Sequence, residues 1–276
     1  MTAPKLKPKQ TQNVLNHLGL ESSQPTLPYL KALLNAYVRT VPWESASRMV
    51  RRAHLHEAKQ CPRWPEEFWD GAMAHGFGGT CFESNYAFLT LLRSLGFEGS
   101  LTINDMNEHI GCHTATVIEL DGAQWLADAG FPVHVPLQLN PKQQTQSESN
   151  WMTYTARPLP NHVFMIERPA HPNPYCFTVH NTSIADADYR AATLRDYGPN
   201  GLFLREVIIN KVVDDQLWRF SSRDPQPSLH TFVDGQRVDH PIGVHGHPQH
   251  EEIAHAVAAK FGIDEATLRE ALQLIS

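Results

Sequence analysis

Three residues of this 276-residue chain have types and surroundings suited to covalent catalysis: Cys81, His113 and Asp128. Cys81 follows Gly78-Gly79-Thr80 and opens the run FESNYAFLTLL, whose broad apolar face ends near Gly96. That pattern sets the cysteine at the first position of a central, buried helix. Thr80 is then the N-cap, and Glu83 completes a T-x-x-E capping box. Backbone N–H groups without intrahelical acceptors, and the positive end of the helix dipole, favour a thiolate there. The two glycines let the backbone turn sharply and keep side chains away from the sulfur.

A thiolate nucleophile needs a base, and the base needs a group to orient it. One hairpin supplies both. Residues 114–120, TATVIEL, read as a strand, Asp121-Gly122 as a two-residue turn, and Gln124 to Ala129 as the return strand. With Leu120 facing Ala123, Ala115 lies opposite Asp128 and His113 opposite Gly130. Pleat parity then puts His113 and Asp128 on one face as diagonal neighbours, with Cβ atoms about 7–8 Å apart or less, a gap that one hydrogen bond closes. An inward-facing Asp on a strand needs such a partner, because an unpaired buried charge is costly. Gly130 leaves room beside the imidazole. Phe131, three residues beyond the acid, is the candidate for direct substrate contact. Cys112 points the other way by parity and is expected in the core. His109 precedes the clear strand and bears no comparable relation to Asp128.

The elements that must hold these residues follow from periodicity. Gln12 to Leu18 is amphipathic. Thr26 caps a helix with Pro28 just inside and Leu30, Leu33, Leu34 and Tyr37 on one face. Pro65 opens another helix, and these pieces pack as a small bundle. From about residue 99 the period changes to two. Further strands are expected at Thr153 to Ala156, Val163 to Glu167, Leu202 to Val213 and Gln216 to Phe220, and the polar run Asn140 to Asn150 is expected as a loop. Glu251 to Ile275 reads helical, broken at Phe261-Gly262, with Asp264 as a second N-cap. The fold class is α+β.

Composition narrows the function. The net charge is −6, and no basic run exceeds Arg51-Arg52, which argues against a nucleic-acid partner. No stretch approaches the ~20 apolar residues of a membrane span. Met1 to Gln10 lacks the apolar core of a signal peptide and is expected to be a loose tail, so the protein is read as cytoplasmic. Cys61, Cys112 and Cys176 have no C-x-x-C spacing and are read as small buried hydrophobes. His245, His247 and His250 form H-x-H-x-x-H between Gly and Pro, read as a solvated loop, and no metal site is expected. Trp43, Phe77, Phe82 and Phe131 are candidates to shape an apolar pocket near Cys81, although core packing is the commoner role for such side chains.

The run Gly78 to Asn85, GGTCFESN, resembles the nucleophile motif G-G-x-C-x-E-x-N of the arylamine N-acetyltransferases. His113 to Phe131 resembles the family's strand pair, in which a catalytic His leads to D-V-G-F. Val41-Pro42-Trp43-Glu44 resembles its P-F-E-N segment, and Gly262-Ile263 with the following helix is similar to its C-terminal end. The resemblance implies an N-terminal helical bundle over residues 1–98, an antiparallel β-barrel over 99–205 and an α/β lid over 206–276, around a Cys-His-Asp core of the transglutaminase and papain-like kind. It implies ping-pong chemistry: acetyl-coenzyme A acetylates Cys81, coenzyme A leaves, and an arylamine or hydrazine takes the acetyl group. The partners are thus a small-molecule acyl donor and an amine acceptor. Two positions depart from the pattern. Phe77 stands where the family usually has Arg, a role Arg48 or Arg51 is a candidate to fill by holding Glu44, and Pro132 stands where a further Gly is common. Two alternatives stay open: an amide synthase or thiol hydrolase using the same triad with another acyl donor, and a non-catalytic protein that retains the fold.

Overall fold

A computed structural model of the protein describes residues 4–55, 57–130, 133–171, 173–233, 236–243 and 249–275. The first helices are α1 (Pro8–Leu18), α2 (Leu27–Thr40), α3 (Ala46–His54), α4 (Pro65–His75) and α5 (Cys81–Ser94). Thr26 caps α2 as expected, its hydroxyl accepting from Tyr29 N–H at 3.3 Å, and Leu30, Leu33, Leu34 and Tyr37 are buried. The expected tail is instead tied down from Leu6, which is 5% exposed and whose N–H donates to Ser94 Oγ at 2.8 Å. Every residue of α5 from Cys81 to Leu92 is buried. Helix α5 is therefore the axis on which the bundle and the sheets meet.

The larger sheet is antiparallel, with spatial order β5-β4-β3-β2-β9-β8-β7-β6. Its strands are β2 (Glu98–Met106), β3 (His109–Leu120), β4 (Ala123–Leu126), β5 (Leu137–Gln138), β6 (Thr145–Glu148), β7 (Thr153–Leu159), β8 (Val163–Glu167) and β9 (Tyr175–His180). The two ends approach each other: Thr145 hydroxyl bonds the carbonyl of Gln138, and Ser147 Oγ donates to that of Pro136 at 2.9 Å. The sheet is thereby a nearly closed barrel with a core of Val117, Leu126, Tyr154, Phe164, Ile166 and Phe177. Strand β6 corrects the loop expected over Asn140 to Asn150. It is a short edge strand whose side chains are polar on both faces, so its sequence carries no apolar alternation.

The smaller sheet has the order β1-β10-β11-β12-β13, where β1 is Trp43–Glu44, β10 Ile208–Val213, β11 Gln216–Ser221, β12 Ser228–Val233 and β13 Gln236–Pro241. The strand expected from Leu202 begins only at Ile208, because Phe203 takes a left-handed φ of 58° that interrupts extended backbone. Helices α7 (His250–Phe261) and α8 (Glu265–Gln273) cover this sheet. Gly262, at φ 72°, and the Asp264 cap separate them as expected. Ala46 and Met49 of α3 share this core with Ile209, Val257, Phe261 and Leu268. Helix α6 (Asp186–Asp196) joins the barrel to the smaller sheet. Among the described residues no helix is long and apolar enough to cross a membrane.

Candidate active site

The hairpin register is the one expected. Leu120 faces Ala123 and Val117 faces Leu126, with Asp121 at φ 51° and Gly122 at φ 73°, the two positive values of a type I′ turn. Ala127 N–H still reaches Thr116 carbonyl at 2.8 Å. Just beyond the ladder, Asp128 Oδ2 lies 2.8 Å from His113 Nε2, with the two side chains 0% and 2% exposed. Asp128 Oδ1 accepts from Gly130 N–H at 2.7 Å and Asn85 Nδ2 at 2.9 Å. The carboxylate is thus anchored on both oxygens, and His113 is held by Asp128 and by Phe177, whose ring centroid lies 4.4 Å away.

Cys81 occupies the first position of α5 and is 5% exposed. Its Sγ lies 3.6 Å from the carbonyl oxygen of Cys112, the residue before His113. Thr114 hydroxyl donates to Cys81 carbonyl at 2.9 Å. Asn85, one helical turn on, donates to Thr114 carbonyl at 2.7 Å, and its Oδ1 accepts from Ala129 N–H at 3.1 Å. One side chain therefore ties the helix of the cysteine to both strands of the hairpin. Asn85 is the positioning residue that spacing alone did not single out, although it closes the run GGTCFESN.

Gly130 has a different task from the one expected. A Cβ there would stand 2.5 Å from Cys81 Cα and 2.4 Å from Asn85 Nδ2. Its missing side chain lets the loop after β4 press against the start of α5, rather than opening space beside the imidazole. Phe131 and Pro132 lie outside the described residues, as do His245 and His247. His250 begins α7. Among the described residues, no group of His, Cys, Asp and Glu is arranged to hold a metal ion.

Two charged features surround Cys81. The capping box does not form: Thr80 makes no side-chain cap bond and accepts from Arg48 Nη1 at 3.3 Å instead. Glu83 turns to Arg63, with Nη2 at 2.7 Å from Oε2 and the pair 5% and 0% exposed, and it also accepts from Tyr197 hydroxyl at 2.7 Å. A fully buried carboxylate is costly unless it is paired and hydrogen-bonded, and Arg63 and Tyr197 supply both to Glu83. Burial works against ionised Glu83, but Arg63 outweighs it and holds the carboxyl below its ordinary range. Arg48, 0% exposed, pairs with Asp196 at 2.7 Å and stacks on the Tyr197 ring at 4.0 Å.

Neither Arg48 nor Arg51 takes the expected place beside Glu44. Its carboxylate accepts from Ser47 N–H at 2.9 Å, Gly78 N–H at 3.2 Å and Ser47 hydroxyl, while Arg51 pairs with Glu67 at 2.7 Å. A Cβ on Gly78 would meet Pro42 carbonyl oxygen at 1.6 Å, so only glycine lets this loop run against the segment before β1. The aromatic candidates also diverge. Phe82 is buried in the main core against Tyr189, Trp43 meets Phe203 edge-on at 5.0 Å, and Phe77 stacks on His75 at 5.0 Å beside the smaller core.

The thiol's environment opposes easy ionisation. Burial pushes Cys81 up, the Asp196 carboxylate adds to this, and the Thr114 backbone N–H only partly offsets it. Cys112, expected in the core, is half-buried at the rim of the site. Cys61 and Cys176 are buried as expected, at 0% and 2% exposure.

The bundle, barrel and second sheet define the class of fold. The chain superposes on the structure of Mycobacterium marinum arylamine N-acetyltransferase in complex with CoA with a TM-score of 0.79 at 16% identity, covering 96% of this chain and 99% of that one. In sequence it is 25% identical over 225 residues to arylamine N-acetyltransferase 1 of Oryctolagus cuniculus, a match spanning 71% of this chain and 72% of that protein. It is also 29% identical over 139 residues to proansamycin X synthase of Amycolatopsis mediterranei, a match that spans 45% of this chain and half the length of that relative, 50%. Residues 26–265 match the family model described as N-acetyltransferase, and the chain belongs to that family.

Proposed function

We propose that this protein transfers an acetyl group from acetyl-coenzyme A to an arylamine, hydrazine or similar amine through a thioester on Cys81. The observation that carries the reading is the His113–Asp128 hydrogen bond of 2.8 Å beside a cysteine at the head of a buried helix. With Nε2 committed to Asp128, His113 Nδ1 is the nitrogen that takes the thiol proton. Asp128 fixes that tautomer and stabilises the imidazolium. The sulfur attacks the donor's carbonyl carbon, and the backbone N–H of Cys81, at a helix position without an intrahelical acceptor, is the natural donor to the developing oxyanion. Coenzyme A leaves as the thiol, taking the proton from His113. The amine then attacks the thioester, His113 accepts its proton, and the amide departs as Cys81 regains its hydrogen. Because burial disfavours a free thiolate, proton transfer to His113 and attack by sulfur are coupled.

The test is intact mass after incubation with acetyl-coenzyme A. The reading expects a gain of one acetyl group that is absent in Cys81→Ala and is discharged by an arylamine. A match to a relative named as a synthase, proansamycin X synthase, keeps a second reading in play, an amide synthase or thiol hydrolase that uses the same triad with another acyl donor. Labelling of Cys81 by an activated ester, with none from acetyl-coenzyme A, selects that reading. No reaction by either route rejects both and leaves a non-catalytic member of the fold.

A further inference from the structure

Cys81 has a second cysteine against it. Its Sγ reaches the carbonyl oxygen of Cys112 at 3.6 Å, so the two residues touch. Alternation along β3 puts the Cys112 side chain on the face that carries Thr114, and Thr114 hydroxyl bonds Cys81 carbonyl at 2.9 Å. That face is turned to the head of α5. Asp196 acts on both thiols, and Cys112 is among the charges that act on Cys81. Cys112 is half-buried whereas Cys81 is 5% exposed, so the pair meets solvent at Cys112. The ladder is irregular beside Cys112: the β2–β3 register shifts between Asn104 and Met106, and Gly111 takes φ 67°.

We propose that Cys81 and Cys112 form an oxidation-sensitive pair, in which a hydroperoxide oxidises Cys81 and Cys112 resolves the product as a Cys81–Cys112 disulfide. The Cys81 thiolate attacks the terminal oxygen of the hydroperoxide. An S–O bond forms, the O–O bond breaks, and the leaving alkoxide or hydroxide takes a proton. Cys112 sulfur, losing its proton, then attacks Cys81 sulfur; the S–S bond forms and the hydroxide leaves as water. Two thiols lose two electrons and two hydrogens, and the peroxide bond accepts both. The disulfide removes the nucleophile reversibly and spares it the sulfinic and sulfonic states, which thiols do not reverse.

The inference rests on the proposed function only in requiring that Cys81 ionise, and its readout needs no acetyl transfer. Hydrogen peroxide is added to the reduced full chain, followed by intact mass and peptide mapping without reductant. The expected result is a loss of two hydrogens, a linked pair of peptides holding Cys81 and Cys112, and full return of both thiols with dithiothreitol. In Cys112→Ser, or Cys112→Ala should the serine variant fold poorly, Cys81 instead gains one to three oxygens and its thiol is only partly recovered. Oxygen addition to wild-type Cys81 without the disulfide, linkage to Cys61 or Cys176, no oxidation of Cys81 at all, or equal thiol recovery in the Cys112 variant would each overturn the inference. A chain that is acetylated by acetyl-coenzyme A yet forms no disulfide sinks this inference alone. A disulfide in a chain that no donor acylates sinks the functional reading alone.

Discussion

Replacing Gly130 by alanine tests whether the loop after β4 sets the position of the nucleophile. The added Cβ would stand 2.5 Å from Cys81 Cα, 2.6 Å from Cys81 Cβ and 2.4 Å from Asn85 Nδ2. Carbon atoms in contact normally lie about 3.5–4.0 Å apart, so the loop and the head of α5 must separate by roughly 1 Å. None of the three atoms is the end of a flexible side chain. Two belong to the helix start, and the third is held by Thr114 carbonyl and Asp128. Overpacking of this kind costs about 1–3 kcal/mol, and a misplacement near 1 Å costs on the order of a hundredfold in rate. Gly130→Ala is therefore expected to acetylate Cys81 about a hundredfold more slowly in single turnover, with a urea midpoint lowered by the equivalent of about 1–3 kcal/mol. Gly122→Ala is the control. It meets nothing within 4 Å, but its φ of 73° strains any side chain, so it is expected to lower stability and leave acetylation unchanged. Wild-type acetylation rates in Gly130→Ala, or an equal loss in both variants, would refute the argument that Gly130 acts by close approach to Cys81.

Asn85→Ala leaves a buried Thr114 carbonyl and one contact to Asp128 unmet, at about 1–3 kcal/mol for each stranded group; calorimetry checks the loss, and the acetylation rate is expected to fall with it. Glu83→Gln leaves buried Arg63 without its countercharge and is expected to cost about 3–5 kcal/mol, much of it recovered in the double variant with Arg63→Met, which a double-mutant cycle in urea measures. Because burial raises the Cys81 thiol, alkylation by iodoacetamide in His113→Ala should titrate above the ordinary thiol value of about 8.5, and wild type should titrate lower than the variant; identical profiles would separate His113 from the thiol. Burial, with Arg168 adding to it, lowers His134 to about 3. The unfolded chain therefore binds this proton more readily, and stability is lost as pH falls through about 6.5, by ~2 kcal/mol at pH 5. His134→Phe is expected to flatten that part of the stability profile.

The parts of the site that were legible in sequence are local ones. A glycine pair before an apolar helical run fixes Cys81 at a helix head, and a two-residue turn carries its register outward to His113 and Asp128, which bond across a separation of fifteen residues. Near-neighbour rules suffice for both. Asn85 was visible as a letter in the motif, but its role depends on which face of α5 meets β3. Helix α6 was missed altogether: ADYRAATLRD has little apolar periodicity, and three of its residues, Tyr189, Ala192 and Thr193, are buried. Yet α6 delivers Tyr189 hydroxyl to Phe82 carbonyl at 2.7 Å, and it delivers Asp196, which acts on the thiol. Edge strand β6 was hidden for the opposite reason, having polar side chains on both faces.

The misassigned capping box and the departure at Phe77 have one explanation. Thr80 and Glu83 fit a surface helix start, but α5 starts in the interior, where each orphan polar group must find a partner from another element. Arg48 comes from α3 and Arg63 from the segment before α4, and they hold Asp196 and Glu83 at 2.7 Å each. With two buried arginines already flanking the cysteine, Glu44 is held by neutral donors of Ser47 and Gly78. An arginine at position 77 is then not required, and Phe77 packs beside the smaller core. Two buried ion pairs, Arg48–Asp196 and Arg63–Glu83, flank the helix head, and their arginines come from outside residues 77 to 85, where a motif reading of that run does not look.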